Sequence, residues 1–293
     1  LQHVWRHRGN GLFSQTSKQG SRIRYQSCLP ADIRTAATGI PPIDNAIREL
    51  YRTGRINACQ QGWIASYAVH MRKVDWRVGA HWMYGHLLTG TLPGVYLEWQ
   101  RIAGAPGQSP VVYGSEDMLA DDNPATATQL DQPKDTLQRL AESPNMIAPE
   151  ALRPLPQREP RLYQHPMAAW CALPTTLPPL NDQLVQLVHP WSLGASQHGA
   201  IRIAIIHLPF HLRYPWSETR WRFVLQGMER RCNALWIGDL AHCRQWLEEA
   251  RCVSSIPTLH PTYLEALTDA AVGLQPDEDP IFEPGYLCAS FEI

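Results

Sequence analysis

Thr38-Gly39-Ile40-Pro41-Pro42-Ile43-Asp44-Asn45-Ala46-Ile47-Arg48-Glu49-Leu50-Tyr51-Arg52-Thr53-Gly54 sets the architecture of the first half of this chain. Pro41-Pro42 suits a first helical turn, where a missing N–H costs nothing. Ile43, Ala46, Ile47 and Leu50 then recur at i, i+3, i+4, i+7, the stripe of a buried helical face. Gly54 supplies a stop. Working outward, the spacing predicts a second helix over Asn57–Lys73, with Trp63, Ile64, Tyr67, Ala68 and Met71 on its apolar side. A third is predicted over Arg77–Leu88, carrying Val78, Trp82, Met83 and Leu87, and broken by Thr89-Gly90-Thr91-Leu92-Pro93-Gly94.

Beyond residue 140 the composition changes. Residues 144–180 hold nine prolines, which favours an extended linker. Past it, Ile201–His207 and Ala234–Gly238 read as strands, Glu218–Arg231 and Ala241–Arg251 as helices. Strands alternating with helices argue a parallel sheet. The expected fold class is therefore α+β multidomain: an all-α domain over 1–140, a Pro-rich linker over 141–185, and a smaller α/β domain over 186–293. Both ends read as cut, which leaves a divergent whole member and a fragment of a longer chain as the two expectations.

Composition narrows function. Of 293 residues 44% are hydrophobic, enough for a real core, and Trp (11) outnumbers Phe (5). The formal charge of -1 is unlike a domain wrapped in nucleic acid. A local exception is the first 34 residues, where Arg6, Arg8, Lys18, Arg22, Arg24 and Arg34 face Asp32 alone, so DNA is the one partner expected there. Seven cysteines without CxxC read as reduced thiols of a cytoplasmic protein. No stretch approaches the ~20 apolar residues of a membrane span. There is no GxGxxG or P-loop pattern, and no metal site: His3 and His7 stand at i, i+4 on a helix expected over 1–8, but lack a third ligand. His207 and His211 have the same spacing, with Pro209 between them arguing against a shared helix face.

Thr38 to Gln100 as a series resembles the helical flavin domain of the photolyase/cryptochrome family. The matches are Thr38-Gly39, Pro41, Asp44, Arg48, Leu50, Thr53-Gly54, Ile64-Ala65-Ser66-Tyr67, Asp75-Trp76-Arg77-Val78-Gly79, Leu87-Leu88-Thr89-Gly90-Thr91-Leu92 and Trp99-Gln100, in register without an insertion. The resemblance implies an all-α FAD-binding fold and light-driven electron transfer from flavin, in DNA photorepair or light sensing. It places Asn57, Gln61, Thr89, Thr91 and Val95 beside the flavin ring, and Trp99 and Trp76 on the family's electron relay. Several of these positions depart from the family. It usually has His-Asn-Arg and then a second Arg where this chain has Asn57, Ala58, Cys59 and Gln61. Its two Asp and an Asn are replaced by Thr89, Thr91 and Val95. Loss of a whole buried ion pair, Arg with Asp, is nearly neutral for folding, whereas loss of one partner costs roughly 3–5 kcal/mol. The family's phosphate-binding Thr-Ser-x-Leu-Ser pattern is not found before Thr38. FAD is accordingly expected to bind weakly or not at all. The alternative reading is a non-catalytic interaction protein that keeps the helical scaffold.

Overall fold

A computed structural model describes residues 23–104, 109–118, 130–149, 156–194, 199–258, 260, 262–270 and 272–274. The expected helix at 1–8, with His3 and His7, and the basic side chains up to Arg22 lie outside the described residues. The chain forms two compact units, 1–161 and 162–293.

Unit 1 is helical. After a single turn, α1 (Ala31–Arg34), comes α2 (Pro41–Thr53), which starts on the two prolines and ends on Gly54 at φ 68°, with the Gly54 N–H on Leu50 O. Its buried face is the predicted one: Ile43, Ala46, Ile47 and Leu50 are at most 1% exposed. Asp44 shows why the Thr-Gly and the Asp belong together. Its buried carboxylate accepts from the Thr38 N–H and hydroxyl, both at 2.8 Å, and from the Gly39 N–H at 3.1 Å. Burial raises its pKa, and these hydrogen bonds pull the other way.

The second predicted helix is observed as α3 (Ala58–Ser66) running into a π-helical turn, Tyr67–Met71. It stops because Lys73 turns left-handed at φ 51°. The buried Lys73 ammonium donates to Leu140 O (2.8 Å) and Ala141 O (3.0 Å), caps the end of a later helix, and is lowered to about 8 by burial. Asp75 caps α4 (Trp76–His86), and Thr91 caps α5 (Leu92–Ala103). The α2–α3, α3–α5 and α4–α5 pairs pack on one another. Short α6 (Ser115–Met118) and α7 (Lys134–Glu142), the helix that Lys73 caps, complete the described helices of the unit.

Unit 2 is an α/β domain. β1 (Leu162–Tyr163) pairs antiparallel with β4 (Trp216–Ser217). The main sheet holds five parallel strands: β2 (Leu184–Val188), β3 (Ile201–His207), β5 (Ala234–Gly238), β6 (Cys252–Ser255) and β7 (Gly273–Leu274), in the order β5-β3-β2-β6-β7. The chain runs outward from β2 through β3 to β5, then returns to the other side of β2 as β6. The order therefore reverses between β2 and β6. α8 (Leu208–Arg213) and α9 (Glu218–Glu229) follow β3, α10 (Arg244–Leu247) follows a 3-10 turn at Leu240–Cys243, and α11 (Tyr263–Asp269) precedes β7.

Three boundaries differ from expectation. The division falls at 161/162, and the Pro-rich stretch is shared between the units instead of forming a free linker. Proline lacks a donor but keeps its carbonyl, and those carbonyls are used: Pro174 O accepts from the Leu235 N–H and Pro178 O from the Trp246 indole. On the other side of the division, Gln157 donates its N–H to Thr35 O. The predicted helix Ala241–Arg251 is reduced to the 3-10 turn and α10, because Arg251 already donates to Gln183 O as the chain enters β6. Pro209 sits in the first turn of α8, where it is harmless, so His207 and His211 do come together.

Candidate functional site

The five positions that the resemblance would set beside a flavin ring lie where α3 and α5 begin, with Thr89 in the loop before α5. A backbone bond from the Leu88 N–H to Gly54 O (2.9 Å) ties the loop before α5 to the end of α2. A Cβ on Gly54 would stand 2.6 Å from Leu88 Cγ, so this close approach requires glycine as much as the positive φ does. Asn57 caps α3: its side chain accepts from the Gln60 N–H (2.8 Å) while Gln60 Oε1 accepts from the Asn57 N–H (2.9 Å). Gln61 is half-buried and donates its amide to Ile56 O at 3.3 Å. Thr91 Oγ1 accepts from the Gly94 N–H at 3.2 Å. Thr89 is exposed, and Val95 is buried at 4%. Asn57, Gln61 and Thr91 each commit one polar group to local backbone, and none of the five carries a charge.

The two tryptophans lie on neighbouring packed helices, Trp76 at the start of α4 and Trp99 on α5. The Trp99 ring lies over Gly79, where a Cβ would be 2.0 Å from Trp99 Cζ3, and its indole N–H points to Met83 Sδ at 3.3 Å. Trp76 meets Tyr96 edge-on with centroids 6.1 Å apart, and Tyr96 Oη is 3.2 Å from His81 Nδ1. Val95 and Trp99 are one turn apart on α5, about 6 Å along its axis, so the two sets share one helix.

Sequence reasoning missed two buried histidines of this unit. His70 Nε2 is 2.8 Å from Ile102 O, and burial lowers its pKa to about 4. His86, 1% exposed and packed on Tyr51 (4.9 Å) and Trp82 (5.7 Å), has no hydrogen-bond partner at either ring nitrogen among the described residues. Burial lowers it to about 3. Nothing in their sequence spacing marks either one. Among the described residues no three His, Cys, Asp or Glu side chains could hold a metal, and no helix is long and apolar enough to cross a membrane. Cys28, Cys59, Cys171, Cys232, Cys243 and Cys252 are free thiols, and Cys288 lies outside the described residues.

A bound FAD would bring a diphosphate and a ring edge that seeks hydrogen-bonding or charged partners. The five positions offer it self-capped side chains and the apolar Val95, and so fit it poorly. By sequence, residues 11–120 nevertheless match the family model described as the FAD binding domain of DNA photolyase. A 102-residue stretch is 33% identical to the cryptochrome DASH, chloroplastic/mitochondrial, of Ostreococcus tauri. That stretch covers 34% of this chain and 18% of the relative, so the similarity spans less than a fifth of that protein. No solved structure matches. Over part of unit 1 the chain is thus similar to the photolyase/cryptochrome family.

Proposed function

We propose that unit 1 is a divergent photolyase/cryptochrome flavin domain whose scaffold persists while its flavin affinity and light-driven electron transfer are impaired. The observation that carries this is the local commitment of Asn57, Gln61 and Thr91 to helix caps and loop carbonyls, beside the apolar Val95. A hydrogen bond to a charged group is worth about 1.5–3 kcal/mol, and about 1.4 kcal/mol is tenfold in affinity. Three such losses weaken binding about a thousandfold. Trp76 and Trp99 would in this reading stand for members of a relay, while their contacts with Gly79, Met83 and Tyr96 are those of a packed core. In this reading DNA is the polyanion that the basic N-terminal segment would meet. Titrating FAD into the purified chain and following flavin fluorescence tests the proposal. Weak, exchangeable binding at about micromolar or above is expected; nanomolar binding would overturn it.

A further inference from the structure

The carboxyl edge of the unit 2 sheet is closed by four buried histidines from three segments. His189 follows β2, His207 ends β3, His211 lies on α8, and His260 follows β6; all are at most 5% exposed. His189 Nε2–H donates to Ile256 O at 2.9 Å, and His189 Nδ1 accepts from the Trp191 N–H at 3.2 Å. That pattern requires a neutral ring with its proton on Nε2. Since Ile256 follows β6, the bond spans the two strands between which the sheet order reverses. His207 Nδ1 accepts from the Leu240 N–H at 3.3 Å, again as a neutral ring. Tyr263 Oη accepts from the His207 N–H at 2.9 Å and lies 3.1 Å from His211 Nε2. His260 Nδ1 is 2.9 Å from Thr258 Oγ1, and the ring stacks flat on Trp191 with centroids 3.4 Å apart. Trp191 also meets Phe210, Trp216 and Tyr263 edge-on.

The charged and titratable groups facing this cluster are few among the described residues. Arg220 of α9 is 2% exposed and lies 4.1 Å over the Trp216 ring. Asp239, after β5, has Oδ1 3.9 Å from His207 Nδ1 and is 43% exposed. Tyr263 comes from α11, and Tyr214 follows α8 with Arg213 over its ring. Acid therefore adds positive charge beside the buried Arg220, and the carboxylate described near the histidines, Asp239, is itself partly in water.

We propose that this cluster is an acid-released latch: while its imidazoles are neutral, the His189–Ile256 bond and the Trp191–His260 stack hold the crevice between β2 and β6 shut, and protonation opens the carboxyl edge with the sheet intact. A proton on His189 Nδ1 turns the acceptor of the Trp191 N–H into a donor facing a donor, so the ring must leave. Once it leaves, the other three rings reach water and take protons more readily, which makes the release cooperative. Burial, the neighbouring histidines and Arg220 hold the His260 pKa well below its usual range, and His189 is lowered to about 4. The sheet itself rests on Val185, Leu187, Ile203, Ile205 and Ile206, which do not titrate.

The test lowers the pH of the full chain from about 7 to about 3, through the ordinary histidine range and past the lowered His189 value of about 4, and follows two signals. Trp191 emission is isolated as the difference between wild type and Trp191→Phe, and the backbone is read by hydrogen exchange resolved along the chain. The expected result is a reversible Trp191 transition steeper than a single proton. Exchange should rise in 189–192 and 256–260 while 201–206 stays protected. His189→Gln keeps a donor for Ile256 O but cannot titrate, and should shift the midpoint to lower pH and reduce its steepness. Coincident loss of protection in 201–206 and in the edge segments would overturn the latch, as would a His189→Gln transition identical to wild type. If His189→Gln does not fold, the wild-type exchange pattern alone decides.

Discussion

Gly79→Ala sets two known effects against each other, and the structure says which wins. Gly79 lies inside α4, where alanine ordinarily stabilises a helix by about 1 kcal/mol over glycine. Here the new methyl would stand 2.0 Å from Trp99 Cζ3 and 2.2 Å from Cη2, against an ordinary contact of about 3.5 Å. The ring must retreat by about 1.5 Å. Trp99 is 1% exposed, with its indole on Met83, so it has no open side to retreat into. Overpacking of this kind costs about 1–3 kcal/mol, and a clash this deep belongs at the top of that range. The net expectation is a loss of about 2 kcal/mol, or about 4–8 °C in the melting of a unit of 161 residues. Thermal melts read by near-ultraviolet circular dichroism measure it. Trp99→Phe in the same chain should recover part of the loss, a coupling that a double-mutant cycle reads directly. A Gly79→Ala protein as stable as wild type, or more so, would refute the packing of Trp99 on α4.

Three further outcomes are expected. Asp44→Ala leaves the Thr38 N–H, the Thr38 hydroxyl and the Gly39 N–H without their shared acceptor, and should cost about 3 kcal/mol; denaturant unfolding checks this. His86 is buried neutral, so the unfolded chain takes the proton first as pH falls, and stability drops from about pH 6.5 towards the folded value of about 3. At about 1.4 kcal/mol per pH unit, His86→Leu should gain about 2 kcal/mol on wild type at about pH 5 relative to about pH 7, and an unchanged pH slope would contradict it. Gln61→Arg with Thr89→Asp puts charged hydrogen-bonding groups at two of the five neutral positions and should raise FAD affinity at least about tenfold, as read by equilibrium titration.

What sequence reveals here follows from how local each signal is. α2 was legible because its prolines, its apolar stripe and Gly54 all lie within one segment. β3 and β5 were legible as apolar runs. β2 and β6 were not, since Gln186, Ser254 and Ser255 are buried inside the sheet and break the apolar run. The π-helical turn left no pattern distinct from helix, and Lys73 gave no sign that it caps α7. The five candidate positions came from the resemblance alone, and sequence did not show that Asn57 and Thr91 cap helices. The unit 2 histidines were invisible as a group because 71 positions separate His189 from His260, and only the sheet order brings them together.

The most direct test of the central claim is the absorption spectrum of the full chain purified in the dark without added flavin. The blue and near-ultraviolet bands of FAD should be absent or far below one flavin per chain. Stoichiometric flavin carried through purification would contradict the account, because the uncharged Asn57, Gln61, Thr89 and Thr91 beside Val95 would then have to hold the cofactor tightly.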